Sequence, residues 1–345
     1  MLRILCGLIL ALLPISVRAE SVADFYKNKS ITLIVGYGPG GGYDVYARLL
    51  ARYLGRYVPG SPAVVIQNMP GAGSLRAANY IYNNAPKDGS VIGTFSRDMP
   101  LAGVLAGNSN IQFDPRKFTW LGSPSSFATD AYVLWVRKDA EAKSIEEARG
   151  PKARTLIIGG TGEGASGNDV AILLQDVLKI KFKIITGYPD SGALFLAIER
   201  KELDGRFAGI SAVGSSKAEW LDPKSNIHAL LQFGRPTRHP NYPNVPTARE
   251  LATDEQSRLL IEFAELPYLL SRPFVAPPNV PADRAAALQK AFLDATADKE
   301  FLVESERLKV EVSPVGATEA LSLLDKVVAA PESVKETMRK LAVHE

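Results

Sequence analysis

The chain has 345 residues, a formal net charge of +3 and 46% hydrophobic residues, which is typical of a globular protein long enough to hold two hydrophobic cores. Because the net charge is small, the sequence offers no basic field for nucleic acid, and we expect no nucleic-acid partner. The single cysteine, Cys6, lies in the N-terminal apolar segment, so the rest of the chain cannot form a disulfide bond of its own.

Residues 1–19 have the pattern of a secretory signal peptide. Arg3 precedes an apolar run that Pro14 interrupts and that is too short for a comfortable membrane span. A cleavage site of the small-x-small type ends at Ala19. We therefore expect export to the periplasm and a mature chain that starts near Glu20. The alternative is a segment that stays as an N-terminal anchor.

The first glycine-rich turn follows a β-rich run, residues 31–35, and leads into an amphipathic helix. Its glycines accept positive φ, so several backbone N–H groups can point at one spot, near the positive end of the helix dipole. Asp44 is expected to be the N-cap of this helix. A carboxylate or a phosphate would find donors here. The residues predicted to bind it are Tyr37, Gly38, Gly40, Gly41, Gly42, Tyr43 and Asp44.

The same turn satisfies the dinucleotide pattern G-x-G-x-x-G through Gly36, Gly38 and Gly41. A dinucleotide site also needs an acidic residue at the end of the next strand, and that strand ends here in Gln67 and Asn68. No G-K-[ST] follows that would indicate the phosphate-binding loop of NTPases. The sequence therefore favours a small anion over a nucleotide.

Two later turns also follow predicted strands and open helices, at residues 68–74 and 159–168. Strands and helices alternate as βαβαβ up to residue 94 and alternate again from residue 131, which indicates an α/β protein. The alternative for the second glycine-rich turn is a mere flexible loop in which Ser166 or Asn168 is an ordinary helix cap. The further residues predicted to bind ligand are Gly71, Ala72, Gly73, Ser96, Thr161, Gly162, Ser166, Asn168 and Tyr188.

This order of elements predicts two Rossmann-like lobes around a ligand cleft with a hinge. Lobe I is expected to comprise residues 20–128 plus 270–345, and lobe II residues 129–269. Each lobe would then contribute one glycine-rich turn to the cleft.

Catalytic and metal sites find little support in the sequence. The three histidines, His228, His239 and His344, lack the spacing of metal ligands, and no G-x-S-x-G nucleophile elbow is present. We expect no enzymatic activity, no metal and no cofactor. The alternative is an α/β enzyme, either a hydrolase or an oxidoreductase.

The chain resembles the solute receptors of the tripartite tricarboxylate transporters, the Bug and TctC proteins. The resemblance rests on ITLIVGYGPGGGYDVYARLLA, residues 31–51, and on VVIQNMPGAGS, residues 64–74. It extends, in matching order, to PKDGSVIG, VPTARE and RPFVAPPNVPADR. It covers nearly all of the chain after the signal peptide.

This resemblance implies a type II periplasmic-binding-protein fold that captures a small organic carboxylate. It further implies delivery to a large and a small integral-membrane subunit, without chemistry on the ligand. Backbone amides and ordered waters would hold one carboxylate at Gly40–Asp44 and at Thr161–Ser166. We expect a monomer. The alternative partner is a receptor kinase, with the chain acting as a ligand sensor.

The chain departs from the family pattern at positions that face the ligand. Gly38, Pro39 and Gly40 stand in place of an apolar residue and an alanine before the paired glycines, and Tyr43 replaces a small hydroxyl residue. Asn168 stands where a histidine is usual. The resemblance therefore does not specify which carboxylate is bound.

Overall fold

A computed structural model describes residues 20–105, 109–162 and 165–342, and the predicted signal peptide lies outside these described residues. The strands are β1 (Ser30–Val35), β2 (Ala63–Asn68), β3 (Val91–Thr94), β4 (Thr119–Ser123), β5 (Tyr132–Arg137), β6 (Leu156–Gly159), β7 (Phe182–Ile185), β8 (Gly205–Gly209), β9 (Ile227–Phe233), β10 (Phe274–Ala276) and β11 (Val315–Gly316). The helices are α1 (Val22–Tyr26), α2 (Gly42–Tyr57), α3 (Leu75–Asn83), α4 (Met99–Leu105), α5 (Ser166–Val177), α6 (Ser191–Glu199), α7 (Ile210–Ser216), α8 (Ala248–Leu251), α9 (Glu255–Glu265), α10 (Ala282–Thr296), α11 (Lys299–Arg307), α12 (Ala317–Ala329) and α13 (Glu332–Ala342). Short 3-10 helices are formed by Ala72–Ser74, Pro115–Lys117, Ala218–Leu221 and Leu266–Leu270.

The strands form two sheets. The first sheet has the order β11-β4-β10-β3-β1-β2, and its strands β1, β2 and β3 are parallel, which confirms the predicted βαβαβ unit. The second sheet has the order β7-β6-β8-β5-β9, with β6 parallel to β7 and β8 and with β5 antiparallel to both of its neighbours. The chain passes to the second sheet after β4 and returns to the first before β10, so crossing segments join two halves.

Strand β1 shows how the first sheet is buried on both faces. Ile31, Leu33 and Val35 belong to one core and Ile34 to another, because successive side chains of a strand point to opposite faces. Each fully buried aliphatic side chain stabilises the fold by about 1.5–3 kcal/mol. With both faces covered, the turns at the carboxyl ends of the parallel strands are left to form a ligand site.

The second sheet follows the same rule. Leu134 and Val136 of β5 belong to the core that α5 and α9 cover, whereas Val133 and Trp135 belong to the core on the side of α6. The two sheets therefore have separate hydrophobic cores, and each can act as the body of one half of the molecule.

The last helix, α13, contacts both halves. Val334, Met338 and Leu341 pack against the core of the second sheet near α5 and α9. On the other side, Arg339 Nε donates to the carbonyl oxygen of Leu105 at the end of α4, at 2.8 Å. Our predicted division places this helix in lobe I alone, whereas it packs on both halves. Among the helices of the described ranges, none combines the length and the apolar character needed to cross a membrane.

Candidate functional site

The first turn, between β1 and α2, starts its helix differently from our prediction. Helix α2 begins at Gly42, and its N-cap is Gly41, which has an extended backbone (φ −84°, ψ 169°). Asp44 lies inside the first helical turn, so its predicted role as the N-cap is wrong. Glycine is also a favourable N-cap residue, and because it has no side chain, the first N–H groups of α2 stay open to a ligand.

Asp44 holds this turn in shape from within. It is 2% exposed, and its carboxylate accepts hydrogen bonds from the Gly40 backbone N–H (2.9 Å), Arg48 Nε (2.8 Å) and Asn68 Nδ2 (2.9 Å). Gly40 has a φ of +86°, a conformation that favours glycine. Burial raises the pKa of Asp44, but the hydrogen bonds lower it further, to below its ordinary value. The carboxylate is therefore ionised and engaged within the turn at neutral pH.

The second glycine-rich turn, between β6 and α5, has no side-chain cap. Helix α5 begins at Ser166 and its N-cap is Ala165, so neither Ser166 nor Asn168 is the cap that the alternative reading of this turn required. Asn168 is 2% exposed and packs over Gly160, where an added Cβ would lie 1.5 Å from Asn168 Oδ1. Because the cap offers no side-chain acceptor, the first N–H groups of α5 also remain available.

Each glycine-rich turn contacts the opposite half of the molecule across the cleft. An added Cβ at Gly38, in the first turn, would lie 2.4 Å from Asp190 Oδ2 at the start of α6. An added Cβ at Gly162, in the second turn, would lie 3.3 Å from the backbone nitrogen of Gly73. The cleft is therefore closed, with the two halves meeting at positions where glycine allows a close approach.

The described residues of the closed cleft line an inner cavity and, beside it, an outer cavity. The inner cavity has a volume of about 60 Å³ and is lined by Tyr37, Gly41, Gly42, Tyr43, Arg97, Tyr132, Gly159, Gly160, Thr161, Ala165, Ser166, Gly167, Ser191, Leu194, Arg206, Ala208, Gly209, Ala212 and Arg272. The outer cavity has a volume of about 300 Å³ and is lined by Gly36, Tyr37, Gly71, Ala72, Gly73, Ser74, Thr161, Gly162, Thr186, Gly187, Tyr188 and Pro189. Since both contain Tyr37 and Thr161, they are neighbouring parts of one cleft.

Most of the residues predicted to bind ligand line one of these cavities. Those that do are Tyr37, Gly41, Gly42, Tyr43, Gly71, Ala72, Gly73, Thr161, Gly162, Ser166 and Tyr188. The structure brings them together from both halves. Their contact with a ligand stays a prediction.

The other predicted residues do not line either cavity: Gly38, Gly40, Asp44, Ser96 and Asn168. Each of these residues contacts other groups of the protein instead. Gly38 faces Asp190, and Gly40 and Asp44 bond to each other. Asn168 is packed against Gly160, and Ser96 is buried, with its backbone N–H donating to Ser74 Oγ at 2.7 Å. These residues therefore hold the segments that line the cleft in place without lining a cavity themselves.

Two tyrosines of the first turn form one wall between the cavities. The rings of Tyr37 and Tyr43 stack at 4.7 Å between centroids. The hydroxyl of Tyr37 donates to the carbonyl oxygen of Gly73 at 3.3 Å, and that of Tyr43 accepts from the Arg97 backbone N–H at 2.9 Å. Both rings are therefore fixed in place in the closed cleft.

Three arginines that we did not predict line the inner cavity: Arg97, Arg206 and Arg272. They are 2%, 7% and 2% exposed, although arginine is rarely so buried without a paired acid. Arg97 follows β3, Arg206 lies in β8 and Arg272 precedes β10. Each lies within or next to a short buried strand, but nothing in the local sequence indicates that the three meet at one cavity.

Aromatic rings and carbonyl groups surround these guanidinium groups. Arg97 Cζ lies 4.4 Å from the ring centroid of Tyr268, and Arg272 Cζ lies 4.9 Å from that of Tyr43. Arg206 donates to two backbone carbonyl groups. No carboxylate in the described ranges forms an ion pair with any of the three. Asp98, Asp130 and Asp190 interact electrostatically with Arg97, Arg272 and Arg206, respectively, without an ion-pair contact.

The two halves also share a buried hydrogen bond beside the inner cavity. Ser166 Oγ, at the start of α5, donates to Asp98 Oδ2, which is carried by the first half. Burial raises the pKa of Asp98. The first turns of α2 and α5, which carry the positive ends of two helix dipoles, line the same cavity as the three arginines. The lining of the inner cavity therefore offers cationic side chains and helix N-termini, which suit an anion.

Within the part of the chain that the structure describes, no group of three His, Cys, Asp or Glu side chains is placed to hold a metal ion. His239, the most buried histidine, has its Nε2 3.1 Å from the carbonyl oxygen of Thr129, outside both cavities.

No family model matches the chain. A UPF0065 protein from the gbd 5′ region of Cupriavidus necator is 31% identical over 129 residues, which are 37% of this chain and 37% of that protein. BugT of Bordetella pertussis is 36% identical over 102 residues, 30% of each chain. The matches thus span about a third of the length of these curated relatives.

Similarity to solved structures extends over the whole fold. A structure of the periplasmic binding protein BugD has a TM-score of 0.71 at 19% identity, covering 92% of this chain and 99% of its own. MatC from Rhodopseudomonas palustris with bound malate has a TM-score of 0.65 at 20% identity, with coverages of 91% and 99%. The predicted two-lobed fold of periplasmic binding proteins is confirmed. So is the resemblance to the Bug and TctC proteins.

Proposed function

We propose that this chain is a solute receptor that captures a small organic carboxylate in the cleft and delivers it to a tripartite tricarboxylate-type membrane transporter. One observation carries the proposal: two glycine-rich turns from different sheets, each opening a helix, meet at a single enclosed positive cavity. A ligand that touches both turns would favour the closed form, because neither half alone provides the complete site.

The energetics are consistent with binding that needs no catalytic group. Micromolar affinity corresponds to about 8 kcal/mol, and a hydrogen bond to a charged group contributes roughly 1.5–3 kcal/mol. Several N–H groups at the starts of α2 and α5, together with the three arginines, would supply that energy after the costs of closure. We accordingly propose a binding protein without enzymatic activity.

The relatives support an acid as the ligand. The structure of MatC contains malate, and another Rhodopseudomonas palustris protein of similar fold, with a TM-score of 0.66, contains adipate. Both ligands are small organic acids with two carboxylates. We extend this class to the present chain, and with it the periplasmic location, the cleaved signal peptide and the large and small membrane subunits as partners.

The test is a thermal-shift titration of the mature chain, refolded to remove carried ligand, with mono-, di- and tricarboxylates and with nucleotides. We expect a saturable rise in melting temperature with one carboxylate class, because a ligand that binds the folded state stabilises it. Stabilisation by nucleotides alone, or by no acid in the panel, would overturn the proposal.

A matched pair of variants locates the site. Gly42→Val places a branched side chain against Arg272 and Ala212 inside the inner cavity and should abolish the shift. Gly214→Ala, in α7 and outside both cavities, is the control and should bind as the parent chain does.

A further inference from the structure

Tyr43 lies where the proposed ligand would reach its innermost position. It is the second residue of α2, so its backbone N–H belongs to the first turn of that helix, and its side chain lines the inner cavity. The N–H groups of a first helical turn have no partner within the helix. A carboxylate that they hold would place the next carbon atom of the ligand beside the Tyr43 side chain.

Three separate contacts fix the position of the Tyr43 ring. It stacks on the ring of Tyr37 with an interplanar angle of 20°, and the centroids are 4.7 Å apart. Arg272 Cζ lies 4.9 Å from the centroid of the Tyr43 ring. The Tyr43 hydroxyl accepts from the backbone N–H of Arg97 at 2.9 Å and from its Nε at 3.4 Å. The ring cannot turn aside for a ligand without losing these contacts, so it forms a fixed wall.

The arginines that contact Tyr43 are themselves held in place. Arg272 is 2% exposed, and its Nη1 donates to the carbonyl oxygen of Ser271 at 2.7 Å. Arg97 is also 2% exposed, and its Cζ lies 4.4 Å from the ring centroid of Tyr268. A shift of the Tyr43 ring would therefore disturb buried groups of both halves.

The cleft offers less space beside Tyr43 than farther out. The inner cavity, which Tyr43 lines, has a volume of about 60 Å³, whereas the outer cavity has about 300 Å³. A branch on the carbon next to the inner carboxylate would meet the ring. A branch farther along the ligand would lie in the larger space.

We propose that Tyr43 is a specificity-determining residue, which admits acids with an unbranched carbon next to the inner carboxylate and rejects acids with a branch there. A CH2 group at this carbon passes the ring, whereas a methyl branch presses against it. A rigid pocket discriminates between ligands that differ by one such group by roughly 10–200-fold. This inference rests on the proposed function, since it restricts the ligand class of the same cleft.

The experiment measures two linear acids and their branched counterparts by calorimetry with the refolded mature chain at neutral pH. Succinate is paired with 2,3-dimethylsuccinate, and adipate with 2,5-dimethyladipate. Both ends of each counterpart are branched, so that neither orientation avoids the ring. We expect a linear acid that binds to do so at least tenfold more tightly than its branched counterpart.

The outcomes separate this inference from the receptor proposal. Equal or tighter binding of a branched counterpart would overturn the inference and leave the receptor proposal standing. The same holds if neither linear acid binds while another acid of the carboxylate panel does. If no acid of the panel binds, both proposals fail.

Variants assign the preference to the ring of Tyr43. Tyr43→Ser removes the ring and should reduce the ratio of the linear to the branched affinity to less than threefold. Tyr43→Phe keeps the ring and loses only the hydrogen bonds to Arg97, so the ratio should not change. Tyr188→Ser removes a tyrosine ring from the outer cavity instead and should also leave the ratio unchanged. An unchanged ratio in Tyr43→Ser contradicts the inference.

The ratio of affinities also separates specificity from folding. Tyr43 packs against the core that α2 covers, so Tyr43→Ser should lower the melting temperature. A loss of stability alone does not change the ratio of two affinities that are measured on the same folded variant. If Tyr43→Ser does not fold, Tyr43→Val, which keeps apolar packing but lacks the ring, is measured instead. The same fall in the ratio is expected, and its absence would overturn the inference.

Discussion

The two glycine-rich turns reach the same cavity but are held in place by different means. In the first turn, ionised Asp44 accepts three hydrogen bonds and ties the turn to β2 through Asn68. In the second turn, neutral Asn168 packs on Gly160, and its Oδ1 has no partner among the described residues. Charge organises the first turn, whereas close packing organises the second.

This difference indicates that the two turns contribute unequally to the stability of the fold. Hydrogen bonds to a buried carboxylate are strong and hold their geometry without a ligand. A turn that relies on packing, with a buried acceptor left unbonded, is held less firmly. Changes to the first turn should therefore cause the larger loss of stability. In the second turn, the effects of changing Gly160 and Asn168 should depend on each other, because the two residues act through one contact.

The largest effect is expected from Asp44→Ala. It removes the acceptor of the Gly40, Arg48 and Asn68 hydrogen bonds and leaves buried donors unsatisfied, so the free energy of unfolding should fall by about 2–4 kcal/mol. Urea denaturation measures it. Asp283→Ala, an exposed acid in the first turn of α10, is the control and should lose far less. Equal losses would show that the first turn is not organised by its carboxylate.

A smaller effect is expected from Gly160→Ala in the second turn. The new Cβ would lie 1.5 Å from Asn168 Oδ1, and the required shift should cost about 1–3 kcal/mol of unfolding free energy. The double variant Gly160→Ala/Asn168→Ala should recover part of this loss, because the clash disappears. Strictly additive losses in this cycle would contradict the packing account.

The pH dependence of the unfolding free energy should also differ between variants of the two turns, by a smaller amount. The pKa of Asp44 lies below its ordinary value of 3.8 in the folded chain, so its contribution to stability is present above that pH and is lost as the pH falls through the folded pKa. Between about pH 5 and pH 3, the parent chain should thus lose more unfolding free energy than Asp44→Asn. Asn168→Ala, which changes no charge, should follow the parent slope. Parallel curves for Asp44→Asn and the parent chain would refute the role of Asp44.

The smallest effect is expected at the outer cavity, which partly buried Tyr188 helps to line. Tyr188→Ala widens this cavity and should change the affinity for succinate by less than tenfold, while it improves the affinity for the longer adipate relative to succinate. Tyr188→Phe keeps the ring and is the control, with an unchanged ratio in calorimetry. A loss of all binding in Tyr188→Ala would place the ligand in the outer cavity instead.

The glycine-rich turns were predictable because they are local features of the sequence. A β-rich run, clustered glycines and an amphipathic helix identify the turn before α2, and the relation of β1 to β2 and β3 follows from the same alternation. The N-cap of α2 was predicted wrongly because Asp44 suits this position by residue type, whereas the backbone places Gly41 there.

The arginines were not predictable from local pattern. Arg97, Arg206 and Arg272 are far apart in the sequence, and they meet only because of the strand order and the closure of one half on the other. Asp44 pairs with Arg48 one turn along the same helix, whereas its hydrogen bond from Asn68 of β2 depends on a tertiary contact. Local sequence thus identified the walls of the cleft but not its charge.

The position of α13 has a practical consequence for any experiment that follows the cleft as it opens. Met338 of this helix packs with Leu101 of α4 and Phe263 of α9, which belong to different halves. A rotation of the halves must therefore either shear this small apolar contact or carry the helix with one side. A bulky fusion or a surface attachment at the carboxyl end would hinder this rotation of the halves. A probe on the exposed side of α1 or α2 would travel with one half and leave the motion free.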